Sequence, residues 1–434
     1  MNRQSDRDPV VLLSKTEDGI GAEELAAALE KTLSGKMDDL TRVLLIPPDL
    51  TRMHSGAGMI AALYFKLLKD VCTVDILPAI GTHDPMTEQE WLLFFGPEVP
   101  YTSMITHNWR TDVVRIGEVP GEFVRDVSEG LMCSPIAVEI NKHLLNPDYD
   151  LIISIGQVVP HEVAGMANYS KNILVGCGGS RMINSSHMLG AFYGMERIMG
   201  RDHSPVRQVF DYAEEHFLSR LPIQYVLTVT TAHDNRVAIH GLFAGRSRSI
   251  FDQAVRLSQQ KNLVFLEKPL KKAVVYLNER EFKSTWLGNK AIYRTRLAMA
   301  EGGELIILAP GVHKFGEDKQ NDALIRKYGY IGRTQVIHLV ATKKDLQENL
   351  SVAAHLIHGS ADGHFKITYA VTHLCRAEIE QVNFSYMPYD EARLRYDPFA
   401  LKDGLNTLPD GEEVFFISNP ALGLWADRHR FFGV

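Results

Sequence analysis

Four cysteines in 434 residues (Cys72, Cys133, Cys177 and Cys375) are too few and too scattered for a disulfide framework, and none has the CxxC spacing of a thiolate zinc site. Long hydrophobic runs are missing as well; none approaches the roughly 18 residues that a membrane span needs. The opening stretch MNRQSDRDPVVLLSKTEDG is polar and has no apolar signal-peptide core. Positive charge is not in excess either. Lys and Arg number 46 against 53 Asp and Glu, a formal net charge of −7, so nucleic acid is not the expected partner. There is no internal repeat and no low-complexity segment. These absences predict a cytoplasmic protein with neither a membrane nor a nucleic acid as partner.

What is present is ordinary globular material, 45% hydrophobic and 23% charged, in a chain longer than one domain usually runs. TRVLLIP (41–47), the run ending VDILPAIG at Gly81, and YDLIISIG (149–156) read as strands with polar exits. Helical patterns accompany them at 23–35, 58–71 and 205–221. KKAVVYLNE (271–279), GELIILAPG (303–311), TQVIHLVAT (334–342) and HFKITYAVT (364–372) read as a second group of strands, and EEVFFISNPALG (412–423) as one more that returns to the first domain. This alternation predicts an α/β protein with mostly parallel sheets. The expected division is an N-terminal domain at 1–268, rejoined by 415–434, and a C-terminal domain at 269–414 closing an active-site cleft between them.

Chemistry collects where the first three strands end. Asp49, Thr51 and Arg52 follow the first, His83 the second, and His161, Gly165 and Lys171 the third. Ligands of open α/β sheets sit beyond the carboxyl ends of strands. Each residue also has a plain structural reading. Asp49 with Thr51 suits a turn and helix cap, His83 a turn, and Lys171 a solvated surface. Their common location favours a site. His313, Lys314 and Lys319 read either as an anion site or as a solvated loop and helix start. His203 precedes a Ser-Pro helix start, where capping outweighs catalysis. Gly176, Gly178 and Gly179 offer close approach to a phosphate, though in no standard phosphate motif.

PDLTR at 48–52, GTHDPMT at 81–87, His161 with Lys171 ten residues later, and His187 sixteen residues after that in INSSH together resemble the nickel-dependent lactate racemase family. The resemblance covers most of the first domain and continues, more weakly, into the second. It implies a nickel-pincer nucleotide attached through Lys171, with His187 as a nickel ligand and Asp49, Thr51 and Gly165 close to the cofactor. It further implies His83 and His161 as the acid/base pair and Arg52 as the clamp for a substrate carboxylate. Tyr293 and Arg294 fall at the substrate side of the second domain.

Two stretches depart from the family pattern. Met166-Ala167-Asn168-Tyr169-Ser170 stands where many relatives are rich in Gly-Gly, and Tyr293-Arg294 stands where lactate enzymes have a Tyr-Gln pair followed by a lysine. The implied activity is therefore racemisation or epimerisation of a 2-hydroxy acid larger or more polar than lactate, such as a sugar acid or a dicarboxylate. Two other readings stand beside it. One is a zinc hydrolase using His83, His161 and His187; the other is a non-catalytic binder of small carboxylates. A homo-oligomer is an added expectation.

Overall fold

The computed structural model describes residues 9–233 and 236–433. They fall into two compact units, one built from the chain up to Ser186 with Met199–Asn262, the other from His187–Ile198 with the chain from Leu263 onward. Among the described residues no helix is long and apolar enough to cross a membrane.

The first unit is organised on a sheet of six strands: β1 (Val10–Leu13), β2 (Arg42–Ile46), β3 (Thr73–Ile76), β4 (Leu151–Gln157), β5 (Ile223–His233) and β6 (Arg236–Gly245). Their order is β1-β6-β5-β4-β2-β3. β5, β4, β2 and β3 run parallel, while β6 and β1 close one side as antiparallel strands. Parallel strands need both faces covered, which is why β2 and β4 are continuous apolar runs rather than alternating ones. Helices α1 (Ala22–Leu33) and α2 (Ala57–Leu68) supply one cover. Leu25, Leu29 and Leu33 of α1 recur every fourth residue, as do Ile60, Tyr64 and Leu68 of α2. They share a core with Val43, Leu45, Ile153 and Ile155, the alternate residues of β2 and β4.

The second unit has its own six-stranded sheet. It comprises β7 (Leu270–Tyr276), β8 (Met299–Ala309), β9 (Lys366–Val371), β10 (Ser385–Pro388), β11 (Gly404–Thr407) and β12 (Glu413–Ile417). The order is β10-β9-β8-β7-β12-β11, parallel except for the β11–β12 pair. The fold class is thus α/β with mostly parallel sheets in both units.

Three sequence expectations need correction. TQVIHLVAT is not a strand but lies in the helix Arg333–Thr342. Its β-branched residues suggested a strand, yet its apolar positions at 336, 337, 339 and 340 follow helical spacing. The tail strand does not return to the first domain: β12 pairs with β7, setting Ala273 against Phe415 and Val275 against Ile417, and buries Val414, Phe415, Phe416 and Ile417 in the second unit. Leu424–Asp427 likewise pairs with Leu263–Leu266. The division between units also differs from the expected cut at 268. It falls after Asn262, and it places His187–Ile198 with the second unit by cutting through the helix Ser180–Tyr193. No composition shift marks that point, because a helix crossing from one packing environment to another keeps its own pattern.

Candidate active site

β2 ends at Ile46, and Pro47-Pro48 stop it from continuing. Asp49 then caps the turn Leu50–Ser55. Its Oδ1 accepts from the Thr51 backbone N–H at 3.1 Å and from the Thr51 hydroxyl at 2.5 Å. Its other oxygen, Oδ2, accepts from Nδ1 of His83 at 2.6 Å. The cap and the site are therefore one residue using two oxygens. Asp49 is 5% exposed, whereas the His83 ring is about half exposed. Burial alone would push the Asp49 carboxyl up, but His83, Thr51 and Arg52 more than offset it and the group is held below the usual carboxylate range. An ionised partner at Nδ1 fixes the ring proton there, which leaves Nε2 of His83 as the basic atom.

The loop after β3 is tied to its neighbours by backbone bonds. Ala79 N–H donates to the Pro47 carbonyl at 2.8 Å, and Gly81 N–H to the Gly176 carbonyl at 2.8 Å. These bonds bring the exits of β2 and β3 and the segment after Lys171 to one edge of the sheet.

Beyond β4 the chain makes a tight hairpin, Pro160–His161 against Gly165–Met166, and Gly165 takes the left-handed φ of 82° that the return requires. His161 is 8% exposed. Its Nδ1 accepts from the backbone N–H groups of Val163 at 3.1 Å and Ala164 at 3.4 Å, so the neutral ring carries its proton on Nε2. Glu162 Oε2 lies 3.9 Å from the same Nδ1.

Lys171 follows a strained segment. Asn168 and Tyr169 both adopt left-handed backbone, with φ of 67° and 58°. Glycine would hold such angles without strain, and here two larger residues hold them. Asn168 Oδ1 accepts from the Tyr169 N–H at 2.7 Å. The Tyr169 hydroxyl donates to the Arg246 carbonyl at 2.8 Å, and its ring packs on Tyr225 and Phe251. On the other side of the lysine, the Asn172 amide donates to the Ile46 carbonyl at 3.1 Å and to Ser154 Oγ at 3.0 Å, pinning the chain to β2 and β4. The turn Asn172–Gly176 is a π-helix, a form found often at functional sites.

Lys171 itself stays partly accessible but is surrounded by protein. Burial, with Arg52 and Arg207 adding to it against Glu162 and Asp49, pushes its amine down to about 8. At neutral pH such an amine keeps a usable neutral fraction, which is what a nucleophile needs.

The structure thus gathers Asp49, Thr51, Arg52, His83, His161, Gly165 and Lys171 in the first unit. His187 lies on the helix Ser180–Tyr193, on the part that belongs to the second unit. Tyr293 and Arg294 lie on the buried helix Lys290–Thr295 of the second unit, where Arg294 donates to the Gly423 carbonyl at 3.4 Å. Sequence reasoning passed over Arg207, which bonds to Met166, Asn168 and Ser170 just before Lys171, and Asn172, which bonds to β2 and β4 just after it; nothing local to their positions signals those contacts.

The other candidates are structural. Gly176, Gly178 and Gly179 are packed against Ala79, the Leu174 carbonyl and Glu139, where a Cβ would fall within 3 Å. Lys314 donates to the Glu317 carbonyl, and Asp318 caps the helix Lys319–Tyr328. Ser204 caps the helix that begins at Pro205, next to His203. A cavity of about 940 Å³ in the second unit, bordered by Arg197, Arg333 and Lys366, includes none of the sequence candidates. Among the described residues no three His, Cys, Asp or Glu side chains are grouped to hold one metal ion.

The edge of the parallel sheet thus carries a carboxylate-paired imidazole, a second imidazole, an arginine and a depressed lysine. Residues 12–198 match the family described as lactate racemase N-terminal domain. It is 25% identical over 224 residues to the lactate racemase of Lactiplantibacillus plantarum, a match spanning 49% of this chain and 47% of that one. The chain therefore matches about half the length of that relative. In fold it is similar to a protein from Thermotoga maritima, with a TM-score of 0.79, 23% identity and coverage of 95% of this chain and 99% of the other. It is also similar in fold to the lactate racemase apoprotein of Thermoanaerobacterium thermosaccharolyticum, with a TM-score of 0.68, 17% identity and coverage of 92% of each chain.

Proposed function

We propose that this protein is a racemase or epimerase acting on the hydroxyl-bearing carbon of a 2-hydroxy acid. The observation that carries the reading is the Asp49–His83 pair standing on the same sheet edge as a lysine whose amine is near neutral. The family match makes lactate the reference substrate, and Arg294 in place of a neutral residue favours a longer or more polar acid. Arg52 is the group to orient the substrate carboxylate, since its guanidinium can grip two oxygens at once.

The residues suit a nickel-pincer nucleotide. Lys171 would carry it, because a partly accessible amine lowered to about 8 is reactive enough to be acylated. His187 would supply a protein ligand to nickel. A cofactor that brings most of its own donors needs one imidazole, whereas a zinc hydrolase needs three ligands together, and no such group occurs among the described residues. When bound, the cofactor would accept hydride from the substrate carbon and return it to either face.

His83 then has a defined task. Its Nε2 takes the hydroxyl proton, and Asp49 stabilises the imidazolium. His161 begins in the opposite state, with its proton on Nε2 as the group that would donate to a substrate oxygen. To act as base for the other enantiomer its ring must leave the Val163 and Ala164 N–H groups, and Glu162 stands ready to balance the charge that results.

Turnover in D2O tests this reading. Hydride return predicts that product keeps the substrate's original hydrogen on carbon, whereas rapid solvent deuterium incorporation there would refute it. His187→Ala should lower nickel retention with the fold intact, and unchanged nickel content would remove that assignment.

A further inference from the structure

Arg207 has no place in the chemistry above, yet it is among the most completely buried charges in the molecule, at 0% exposure. It lies on the helix Pro205–Ala213 and points its fork at the segment before Lys171. Nη2 donates to the Met166 carbonyl at 2.7 Å and to the Asn168 carbonyl at 3.3 Å, while Nη1 donates to Ser170 Oγ at 3.2 Å. The face of Phe251 lies 4.4 Å from the guanidinium carbon, and the same ring stacks on Tyr169. We propose that Arg207 is a positioning residue for Lys171: it holds the Asn168–Tyr169 turn in its left-handed conformation and so fixes where the lysine amine stands and what surrounds it.

The argument starts from cost. Two adjacent non-glycine residues with positive φ are held at an expense that the surroundings must over-determine. A guanidinium taken out of water is also expensive; here both Nη atoms are paired, while Nε is buried with no hydrogen bond. Each expense is explained by the other. The turn aims the carbonyls of Met166 and Asn168 and the Ser170 hydroxyl at one point, and a planar fork is the side chain that can meet them all. Asn172 anchors the far side of Lys171, so the lysine sits between two fixed points.

Charge is consistent with this role. The groups that act on Lys171 are Arg52, Glu162, Arg207 and Asp49, and Arg207 is one of two cations that oppose a second positive charge there. Asp211, Arg248, Tyr169 and Asp202 act on Arg207, whose own value burial lowers to about 10, so it stays charged at neutral pH. Losing the guanidinium would therefore free the turn, admit water to the amine and remove a repulsion. All three effects raise the lysine's affinity for a proton.

The inference rests on the reading of Lys171 as the cofactor lysine, but its test needs no cofactor. Cofactor-free protein would be labelled competitively with acetic anhydride across pH about 6 to 11, and the Lys171 peptide quantified by mass spectrometry against the other lysines. Wild-type Lys171 should titrate near 8. Arg207→Met should move that midpoint up toward ordinary lysines, and Arg207→Lys, which keeps a cation but not the fork, should behave like Met. An unchanged midpoint in Arg207→Met overturns the proposal, as does a wild-type midpoint in Arg207→Lys, which would make charge alone the cause. If circular dichroism shows Arg207→Met unfolded, Ser170→Ala removes one of the three bonds without altering charge. A smaller upward shift there supports positioning, and no shift overturns it. Should wild-type Lys171 titrate as expected and yet never carry an adduct in native-host protein, the tether reading fails while the positioning role stands.

Discussion

His83 Nδ1 and Asp49 Oδ2, 2.6 Å apart, join the exits of two neighbouring parallel strands into a single acid–base pair. Neither residue is remarkable by itself. One sits in a turn and the other caps one, and only the adjacency of β2 and β3 makes the carboxylate the orienting partner of the imidazole.

Asp49→Asn tests that pair. Asparagine keeps the cap, so the fold should survive with a loss of less than about 1 kcal/mol. The imidazole loses its fixed tautomer and its charge partner, and kcat should fall roughly 10²–10⁴-fold. Racemisation kinetics alongside circular dichroism check this; activity within threefold of wild type would leave His83 without its assigned partner.

Lys171 should lower the stability of the cofactor-free protein below pH 8. There both the folded and the unfolded chain hold the lysine proton, and the folded one bears the cost of a buried charge. Between about 8 and the ordinary 10.5 the folded state releases the proton first, and the cost disappears. Lys171→Met should thus stabilise the protein at pH 7 by on the order of 1–2 kcal/mol, allowing for partial solvent access. Urea unfolding at pH 7 and at pH 10 measures it, and an equal gain at both would contradict the assignment.

The second unit carries an acid-sensitive histidine. His355 stacks on Trp286 with ring centroids 4.2 Å apart and pairs with the Tyr330 hydroxyl at 2.9 Å. Burial, with His358 adding to it, pushes its value down to about 3. Its contribution to stability is complete above pH 6.5. As pH falls from there, the unfolded chain takes a proton that the folded one refuses, and about 1.4 kcal/mol should be lost per pH unit toward 3. Burial also lowers His107 and His240, so melting temperatures between about pH 4.5 and 6.5 read the effect only as the difference between the wild type and a His355 variant. In His355→Gln the slope there should flatten.

Arg294→Gln bears on the substrate. If this arginine meets a polar or anionic part of a longer acid, its loss should raise KM for that acid by the equivalent of about 1.5–3 kcal/mol. A panel of 2-hydroxy acids decides the matter: lactate as best substrate, with Arg294→Gln neutral, removes the proposed selectivity.

Strand β2, strand β4, helices α1 and α2 and the capping Ser204 were legible in the sequence, because periodicity and cap chemistry act over a few residues. So were the polar strand exits, since a buried parallel strand has to end before a charge appears. The helix at 333–342 was misread because β-branched content outweighed a spacing that fits a helix. The tail strand was assigned to the wrong domain because strand pairing between distant segments leaves no local mark.

Local chemistry alone determined that Asp49 caps a turn, that Gly165 turns a hairpin and that Lys171 stands near a polar exit. Tertiary structure decided the rest. The second oxygen of Asp49 meets His83 because β2 and β3 pair, and Val163 and Ala164 set the tautomer of His161 because the hairpin folds back on its ring. Arg207, 36 residues beyond Lys171 in the chain, reaches the turn before that lysine. Tautomer and proton affinity depend on what lies within a few ångströms in space, and those neighbours come from segments that the sequence keeps far apart.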